Sequence, residues 1–381
     1  YIDHFPAPST GRPVSQERDL EEKKLGDLRQ KIDAIDDQIL ELLNRRSALV
    51  IEVGRLKAKN GLPFFVPSRE RAIYDRLAAS NPGPFPSTAI RSVYREIISA
   101  SLSLEQPLSV AYLGPKATFT QEAAIRQFGL SARFVPAKSI PAVFDEVLRG
   151  RADYGVVPVE NSNEGIVSHT LDMFLDSDLK IYAEILLEVS QSLLSLSGRL
   201  EDVQKVVSHP HALAQCRNWL EEHFPDVPQM DVSSTARAAE MAMEDGGCAA
   251  LASEMAATLY GLRVIQRKIE DNPNNFTRFL VISRTSPQAS GHDKTSLMFA
   301  VRDAPGILCR MLEPFSKRHI NLTKIESRPI KKKAWEYVFF LDLEGHLSQP
   351  EIAAAVEELR SHCQFVKVLG SYPRTITLRQ E

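Results

Sequence analysis

The chain has 381 residues, which is enough for two or three domains of ordinary size. With 43% hydrophobic and 25% charged residues, it has the composition of a globular protein that buries several cores. Its 46 basic and 49 acidic residues nearly balance, so we expect neither nucleic acid nor an anionic membrane as a partner. Its four cysteines lie far apart without metal or redox spacing, and no apolar run suggests a membrane span or signal peptide, so we expect a cytoplasmic location.

The N-terminal third predicts a tail followed by a bundle of helices. Residues 1–20 are rich in proline, serine and charge, which predicts a flexible tail. Residues 21–105 predict an all-α domain of three helices. In the first helix, apolar residues recur at spacings of three and four from Leu25 to Leu56, a heptad seam about 50 Å long. A helix of that length needs partner helices, including one from another subunit.

Residues that stop or cap helices mark the boundaries within this domain. Gly61 and Pro63 are expected to end the first helix. Ser68 is placed to cap the second helix, and Ser87 to cap the third.

Several polar residues interrupt the apolar faces of these helices. Arg46 stands where the heptad seam expects leucine, and Lys57 lies about 16 Å further along nearly the same line. Ser101 interrupts the apolar line of the third helix, with Glu105 one turn later, and Glu70 shares a face with apolar residues of the second. A single such cation is usually a solvated side chain. Four intrusions in one small bundle favour a dianionic ligand, because a buried cation is costly without a counter-charge.

Residues 108–285 alternate short apolar runs with helical segments. This pattern predicts an α/β domain whose mostly parallel sheet has helices on both faces. Within 180–196 two strand-like runs follow each other directly, which interrupts the alternation of strands and helices and predicts a crossover between two lobes. Helices are predicted to begin at about Phe119, Ile140, Ile166, Pro210 and Glu254.

Small hydroxyl-bearing and amide residues follow several of these strands, at 114–120, 160–165, 208–211 and 233–235. Helix N-termini at the ends of parallel strands can bind anions, but serine and threonine are also ordinary caps, and both interpretations stay open. Thr118 with Gln121 has the pattern of a capping box. His209 and His211 lack a recognisable third ligand, so no metal site is predicted.

Beyond a polar linker at 284–293, residues 294–374 predict strand, helix, two strands, helix and strand in turn. This βαββαβ order is that of a ferredoxin-like α+β domain.

The run from Leu28 to Pro63 (LRQKID to NGLP), followed by SRERAI at 68–73, resembles the all-helical chorismate mutases. The resemblance implies an entwined homodimer or higher homo-oligomer in which each site receives one arginine from the partner subunit. Val66 and Glu105 depart from the family pattern, which has Asp and Gln there. By position, the chorismate-binding residues are Arg29 (from the other subunit), Arg46, Lys57, Arg69, Glu70, Ser101 and Glu105, with Lys57 and Glu105 also catalytic.

The run NPNNFTRFLVISR at 272–284 resembles prephenate dehydratase, as do LGPKATFT at 113–120, VVPVENS at 156–162 and SHP at 208–210. This resemblance implies a two-lobed fold like that of a periplasmic binding protein. It implies that Thr277 supplies the catalytic hydroxyl, with Arg278 and Phe279 beside it. It implies no metal or organic cofactor. Arg278 suits a substrate carboxylate by its bidentate geometry. The implied prephenate-binding residues are Thr118, Glu160, Asn161, Ser162, Ser208 and Thr235.

The segments PGIL at 305–308 and IESRP at 325–329 resemble the ACT regulatory module. The implied L-phenylalanine site lies between two paired modules and contains Gly306, Ile307, Leu308, Glu326, Ser327 and Arg328. Together the resemblances predict an enzyme that converts chorismate to prephenate and prephenate to phenylpyruvate under control by phenylalanine. Two alternatives stay open: a preference for arogenate in the α/β domain, and a non-catalytic amino-acid sensor.

Overall fold

The computed structural model describes residues 14–302, 304–329 and 337–375. The chain divides into two compact units, Tyr1–Leu62 and Pro63–Glu381. No helix within the described ranges is long and apolar enough to cross a membrane.

The first unit contains one long helix, α1 (Val14–Asn60). It begins inside the segment 1–20 that we predicted as a tail, because the run from 14 onward is rich in helix-forming Glu, Arg, Leu and Lys. The rest of that segment, residues 1–13, lies outside the described residues. The helix ends before Gly61, whose positive φ of 62° suits glycine. The seam is exposed within a single chain, with Leu28 56% and Leu56 60% accessible.

The second unit begins with two helices, α2 (Pro67–Ala79) and α3 (Ser87–Glu105), which pack against each other. The predicted caps Ser68 and Ser87 are wrong: the N-cap positions belong to Val66 and Pro86, and neither provides a side-chain hydrogen bond. In α2 a proline occupies the first helical position, where its fixed φ suits a helix start.

The first α/β lobe is built on one sheet with strands in the order β2 (Arg133–Ala137), β1 (Ser109–Leu113), β3 (Tyr154–Asn161), β11 (Phe276–Ser283) and β5 (Lys180–Glu188). A short β4 (Gly165–Ile166) pairs with β3. The pairs β1–β2 and β1–β3 are parallel, whereas β11 is antiparallel to both neighbours. The lobe's helices are α4 (Phe119–Phe128), α5 (Ile140–Leu148) and α6 (Ser168–Asp176).

The second lobe has a sheet in the order β10 (Arg263–Gln266), β6 (Ser192–Ser195), β9 (Cys248–Ala252), β7 (Lys205–Ser208) and β8 (Gln229–Asp231). Its helices are α7 (Pro210–Gln215), α8 (Arg217–His223), α9 (Thr235–Glu244) and α10 (Glu254–Tyr260). Because β5 and β6 belong to different sheets, the predicted crossover within 180–196 is confirmed.

The C-terminal domain consists of β12 (Asp293–Ala300), α11 (Ile307–Ser316), β13 (Leu322–Pro329), β14 (Tyr337–Glu344), α12 (Pro350–His362) and β15 (Phe365–Pro373). Its antiparallel sheet has the order β13-β14-β12-β15. The predicted βαββαβ domain is therefore confirmed.

The sheet of the first lobe is covered on both faces. On one face the buried ring of Phe65 packs with Phe128, Tyr154 and Tyr182, in a core that also includes residues of α3. On the other face β15 of the C-terminal domain packs against β5. The approach there requires glycine, since a Cβ on Gly370 would overlap the backbone of Ile181.

Candidate active site and effector site

An amide and a hydroxyl meet at the end of the β3–β11 pair. Asn161 lies opposite Thr277 in the antiparallel register, and its Nδ2 donates to Thr277 Oγ1 at 2.8 Å and to Asn275 Oδ1 at 2.8 Å. Asn161 Oδ1 accepts from the backbone N–H groups of Asn163 and Glu164. These four bonds fix the orientation of the amide. Because Thr277 Oγ1 accepts from Asn161, its own hydrogen points away from that amide and can donate to a substrate.

Ser162 holds the loop before β11 in place. Its Oγ donates to the carbonyl oxygen of Asn274 at 2.9 Å and accepts from the N–H of Phe276 at 3.0 Å. The structure therefore gives Ser162 a role in shaping the loop next to Thr277.

The second lobe reaches this site through Gln215, at the end of α7. Gln215 Oε1 accepts from Asn275 Nδ2 at 3.2 Å, and its Nε2 donates to Glu164 Oε1 at 3.2 Å. His211 Nδ1 lies 2.8 Å from the other oxygen of Glu164. Sequence reasoning missed Gln215 and Asn275. Asn275 belongs to the NFTRF run and could have been found there, whereas Gln215 has no local motif and is placed by the packing of the lobes.

Arg278 does not accompany Thr277, because successive side chains of a strand point to opposite faces. Its Nε donates to Glu184 at 2.9 Å, one terminal nitrogen to Asp342 at 2.7 Å, and the other to the Tyr372 hydroxyl at 2.9 Å. The structure therefore does not bring Arg278 together with Thr277, and the assignment of Arg278 to a substrate carboxylate stays a prediction. Phe279, predicted as a catalytic neighbour, is 2% exposed and packs in the core.

Glu160 also lies on the face away from Thr277. Its Oε2 is 2.6 Å from Lys324 Nζ and 4.0 Å from the Arg278 guanidinium. The structure thus separates Glu160, predicted to bind substrate, from Asn161 and Thr277, and directs it to the C-terminal domain.

The other predicted residues of this site lie at strand ends and helix starts. Thr118 caps α4 by accepting from the N–H of Gln121, whose side chain accepts from the N–H of Ala117, so the capping pattern is confirmed. Ser208 is fully buried and donates to the carbonyl oxygen of Leu251, and its assignment to substrate binding stays a prediction. Thr235 is the first residue of α9, and its neighbour Ser234 is the cap.

The predicted mutase residues are divided between the two units. Arg29 is an exposed residue of α1, whereas Arg46 and Lys57 on the same helix are half-buried. In the second unit, Arg69 is an exposed residue in the first turn of α2, and Glu105 is the half-buried last residue of α3.

Glu70 and Ser101 are the more buried members of this set in the second unit. Burial raises the pKa of Glu70 to about 7, although the Tyr74 hydroxyl, which donates to Glu70 Oε2 at 3.3 Å, and the charge of Arg91 act to lower it. Ser101 is 5% exposed and donates to the carbonyl oxygen of Ile97 at 2.7 Å.

The predicted effector residues form two segments of the C-terminal domain. Gly306 is the N-cap of α11 with φ of 75°, followed by half-buried Ile307 and exposed Leu308. On β13, Glu326 and Arg328 are half-buried and alternate with exposed Ser327. One terminal nitrogen of Arg328 is buried without a hydrogen-bond partner among the residues described. Such a group is costly to leave unsatisfied, so it favours an anionic ligand.

Across the three described stretches of chain, no group of three or more His, Cys, Asp or Glu side chains is arranged to hold a metal ion.

Three family models match the chain in succession: chorismate mutase type II at residues 28–106, prephenate dehydratase at 110–287 and the ACT domain at 295–361. Over 358 residues the chain is 53% identical to a bifunctional chorismate mutase/prephenate dehydratase of Aquifex aeolicus, covering 93% of this chain and 99% of the relative. A Pseudomonas aeruginosa protein of the same name is 41% identical over 362 residues, with the same shares covered. Among solved structures, prephenate dehydratase from Arthrobacter aurescens in complex with L-Phe is 36% identical with a TM-score of 0.65, covering 70% of this chain and 90% of that one.

Proposed function

This chain belongs to the family of bifunctional chorismate mutase/prephenate dehydratases, and on that premise we propose how its residues perform and regulate the two reactions. The first reaction rearranges chorismate to prephenate. The second converts prephenate to phenylpyruvate, water and CO2. A cytoplasmic location and an assembly of at least two copies are part of the proposal.

The dehydratase reaction depends on the hydrogen bond from Asn161 to Thr277, which is the observation that carries this part of the proposal. Prephenate loses its ring hydroxyl and a carboxylate together, driven by aromatisation, so a donor must meet the departing hydroxyl. Thr277 is too weak an acid to act as a free proton source. It acts instead as a hydrogen-bond donor within a relay, held in orientation by Asn161 and bordered by Gln215 and Asn275. The departing hydroxyl leaves as water with a proton drawn from solvent through this relay, as the C–O bond and the bond to the carboxylate break.

For the mutase reaction we propose the residues that match the family motif. The rearrangement breaks a C–O bond and places negative charge on the ether oxygen, so a nearby donor lowers the barrier. Lys57 and Glu105 are assigned to that oxygen. The dicarboxylate is assigned to the cations, and Arg29 is assigned to the site of a partner subunit. The full set is Arg29, Arg46, Lys57, Arg69, Glu70, Ser101 and Glu105.

The effector proposed for the C-terminal domain is L-phenylalanine. Its carboxylate is assigned to the start of α11 at Gly306, where helix N–H groups favour an anion, and to Arg328. Its ammonium is assigned to Glu326. The Arthrobacter relative was solved with L-Phe, which supports this choice of ligand.

Two substitutions test whether the activities are separate. Thr277→Ala should abolish phenylpyruvate formation while chorismate is still consumed, so that prephenate accumulates. Arg46→Ala should slow chorismate consumption, through loss of a charge-assisted contact of about 1.5–3 kcal/mol, and leave dehydration of added prephenate intact. Absence of turnover of both substrates by the unaltered chain would favour the sensor alternative, and faster turnover of arogenate than of prephenate would reassign the second substrate.

A further inference from the structure

Two pairs of opposite charges meet where the C-terminal sheet covers the first lobe. Glu160 and Arg278 are cross-strand partners on β3 and β11, and Lys324 and Asp342 are cross-strand partners on β13 and β14. Lys324 Nζ lies 2.6 Å from Glu160, and Arg278 donates to Asp342 at 2.7 Å. Each charge of one sheet is therefore matched by an opposite charge of the other.

The side chains around the Arg278–Asp342 pair are buried. Asp342 and Glu184 are each 7% exposed, and Tyr372 is 0% exposed. Burial opposes ionisation of Asp342, but Arg278 and Lys294 outweigh it and hold the pKa of Asp342 below its ordinary value. The Arg278–Asp342 ion pair is costly to separate, because its members would be left as unpaired buried charges.

The charged pair Glu160–Arg278 is joined through the backbone to the catalytic pair. On β3, Asn161 directly follows Glu160, and on β11, Thr277 directly precedes Arg278. The β3–β11 register shifts between Arg278 and Phe279. A sideways movement of Arg278 and Glu160 therefore changes the distance or angle of the Asn161–Thr277 hydrogen bond on the other face.

The same strand of the C-terminal domain carries the effector residues. Lys324 precedes Glu326 on β13 by two positions, and the two side chains share one face of the strand. A change at Glu326 or Arg328 on ligand binding is thus transmitted along a single strand to Lys324.

We propose that Lys324 and Asp342 are positioning residues of the dehydratase, through which the C-terminal domain sets the geometry of Thr277 and transmits the effector signal. The part of this inference that concerns the effector rests on the function proposed above. Lys324 and Asp342 touch no substrate, and they act through Glu160 and Arg278.

The test uses the full chain with Lys324→Met and Asp342→Asn. We expect dehydratase kcat to fall about tenfold with KM changed less than about threefold, and mutase turnover to stay unchanged. L-Phenylalanine should still bind in calorimetry within about threefold of the normal Kd, yet no longer inhibit. Lys324→Arg should restore inhibition. Glu358→Gln is the matched control, because it removes an ion pair with Arg318 inside the same domain.

Full-range inhibition by phenylalanine in Lys324→Met would overturn the proposal, as would loss of phenylalanine binding, since Lys324 would then belong to the effector site itself. If Lys324→Met does not fold, Asp342→Asn decides by the same two criteria. If the unaltered chain neither dehydrates prephenate nor binds phenylalanine, it is the proposed function that fails. If the unaltered chain dehydrates prephenate and is inhibited by phenylalanine, and both variants do the same to the same extent, only this inference is refuted.

Discussion

Replacing Asn161 with aspartate tests the orientation of the Thr277 hydroxyl with almost no change in shape. In the native site the Asn161 amide oxygen accepts from two backbone N–H groups, and its nitrogen donates to Thr277 and Asn275. In Asn161→Asp the two backbone bonds persist, but an ionised oxygen replaces the donor. The Thr277 hydroxyl then turns to donate to that carboxylate and is lost to the substrate.

The size of the effect follows from the number of bonds exchanged. Loss of one oriented donor at a reacting oxygen typically lowers kcat by about 10²–10³, or roughly 3–4 kcal/mol of barrier. The carboxylate also faces the Asn275 oxygen 2.8 Å away, so we expect a further loss of about 1–3 kcal/mol in the free energy of unfolding. Part of the activity should return at low pH, because a protonated carboxyl can donate again.

The assay is phenylpyruvate formation from prephenate between about pH 4.5 and 8, with chorismate turnover of the same chain as an internal control. Asn163→Asp adds the same charge at an exposed position whose amide oxygen accepts from Asn272, and it should have little effect. A dehydratase kcat within about threefold of normal in Asn161→Asp would refute the assigned orientation.

Three further predictions concern other parts of the chain. Burial raises the pKa of Glu70 from 4.5 to about 7, so between these values the folded chain holds a proton that the unfolded chain releases. The free energy of unfolding should therefore fall by about 1–3 kcal/mol as pH rises through this range. In urea titrations at several pH values, Glu70→Gln should show a smaller fall. Gly370→Ala should lower the free energy of unfolding by about 2 kcal/mol or more, because its Cβ overlaps the backbone of Ile181, whereas Gly26→Ala, where a Cβ meets nothing within 4 Å, should be neutral or stabilising. Glu105→Gln keeps a side chain whose amide can donate a hydrogen bond, so mutase kcat/KM should be maintained in it and should fall in Glu105→Ala; equal kcat/KM in the two variants would contradict the assigned role of Glu105.

Local signals predicted the starts of several helices correctly. The helices that begin at Phe119 and Glu254 each follow a residue whose side chain accepts from a backbone N–H group in the first turn, Thr118 and Ser253 respectively. The helix predicted from Ile166 begins instead at Ser168, because Ile166 pairs with Glu160 in β4. That pairing is a contact between two strands, and the spacing of apolar residues within the segment does not predict it.

The site residues divide in a similar way. The NFTRF run identified Thr277, and the VENS run identified Asn161, which the register then brings together. The same runs do not show that Arg278 and Glu160 contact another domain, because alternation along a strand says that neighbours face opposite ways but not what covers each face. Here a second domain covers one face, and the charges that suit a substrate carboxylate serve to bind that domain.

The buried position of Phe65 has a consequence for dividing the two enzymes. Its ring lies 4.8 Å from that of Phe128 and 5.5 Å from that of Tyr154, and its carbonyl oxygen accepts from the Tyr182 hydroxyl at 2.6 Å. A fragment that starts at residue 107 would keep the surrounding rings but lose Phe65, at a cost of about 3–5 kcal/mol, the range for truncating a buried phenylalanine. Cutting ahead of residue 63 instead would leave α2 and α3 with the dehydratase and divide the mutase residues between two polypeptides. The first cut therefore exposes the core around Phe65, and the second separates the mutase residues of α1 from those of α2 and α3, so neither cut gives two independent enzymes without redesign.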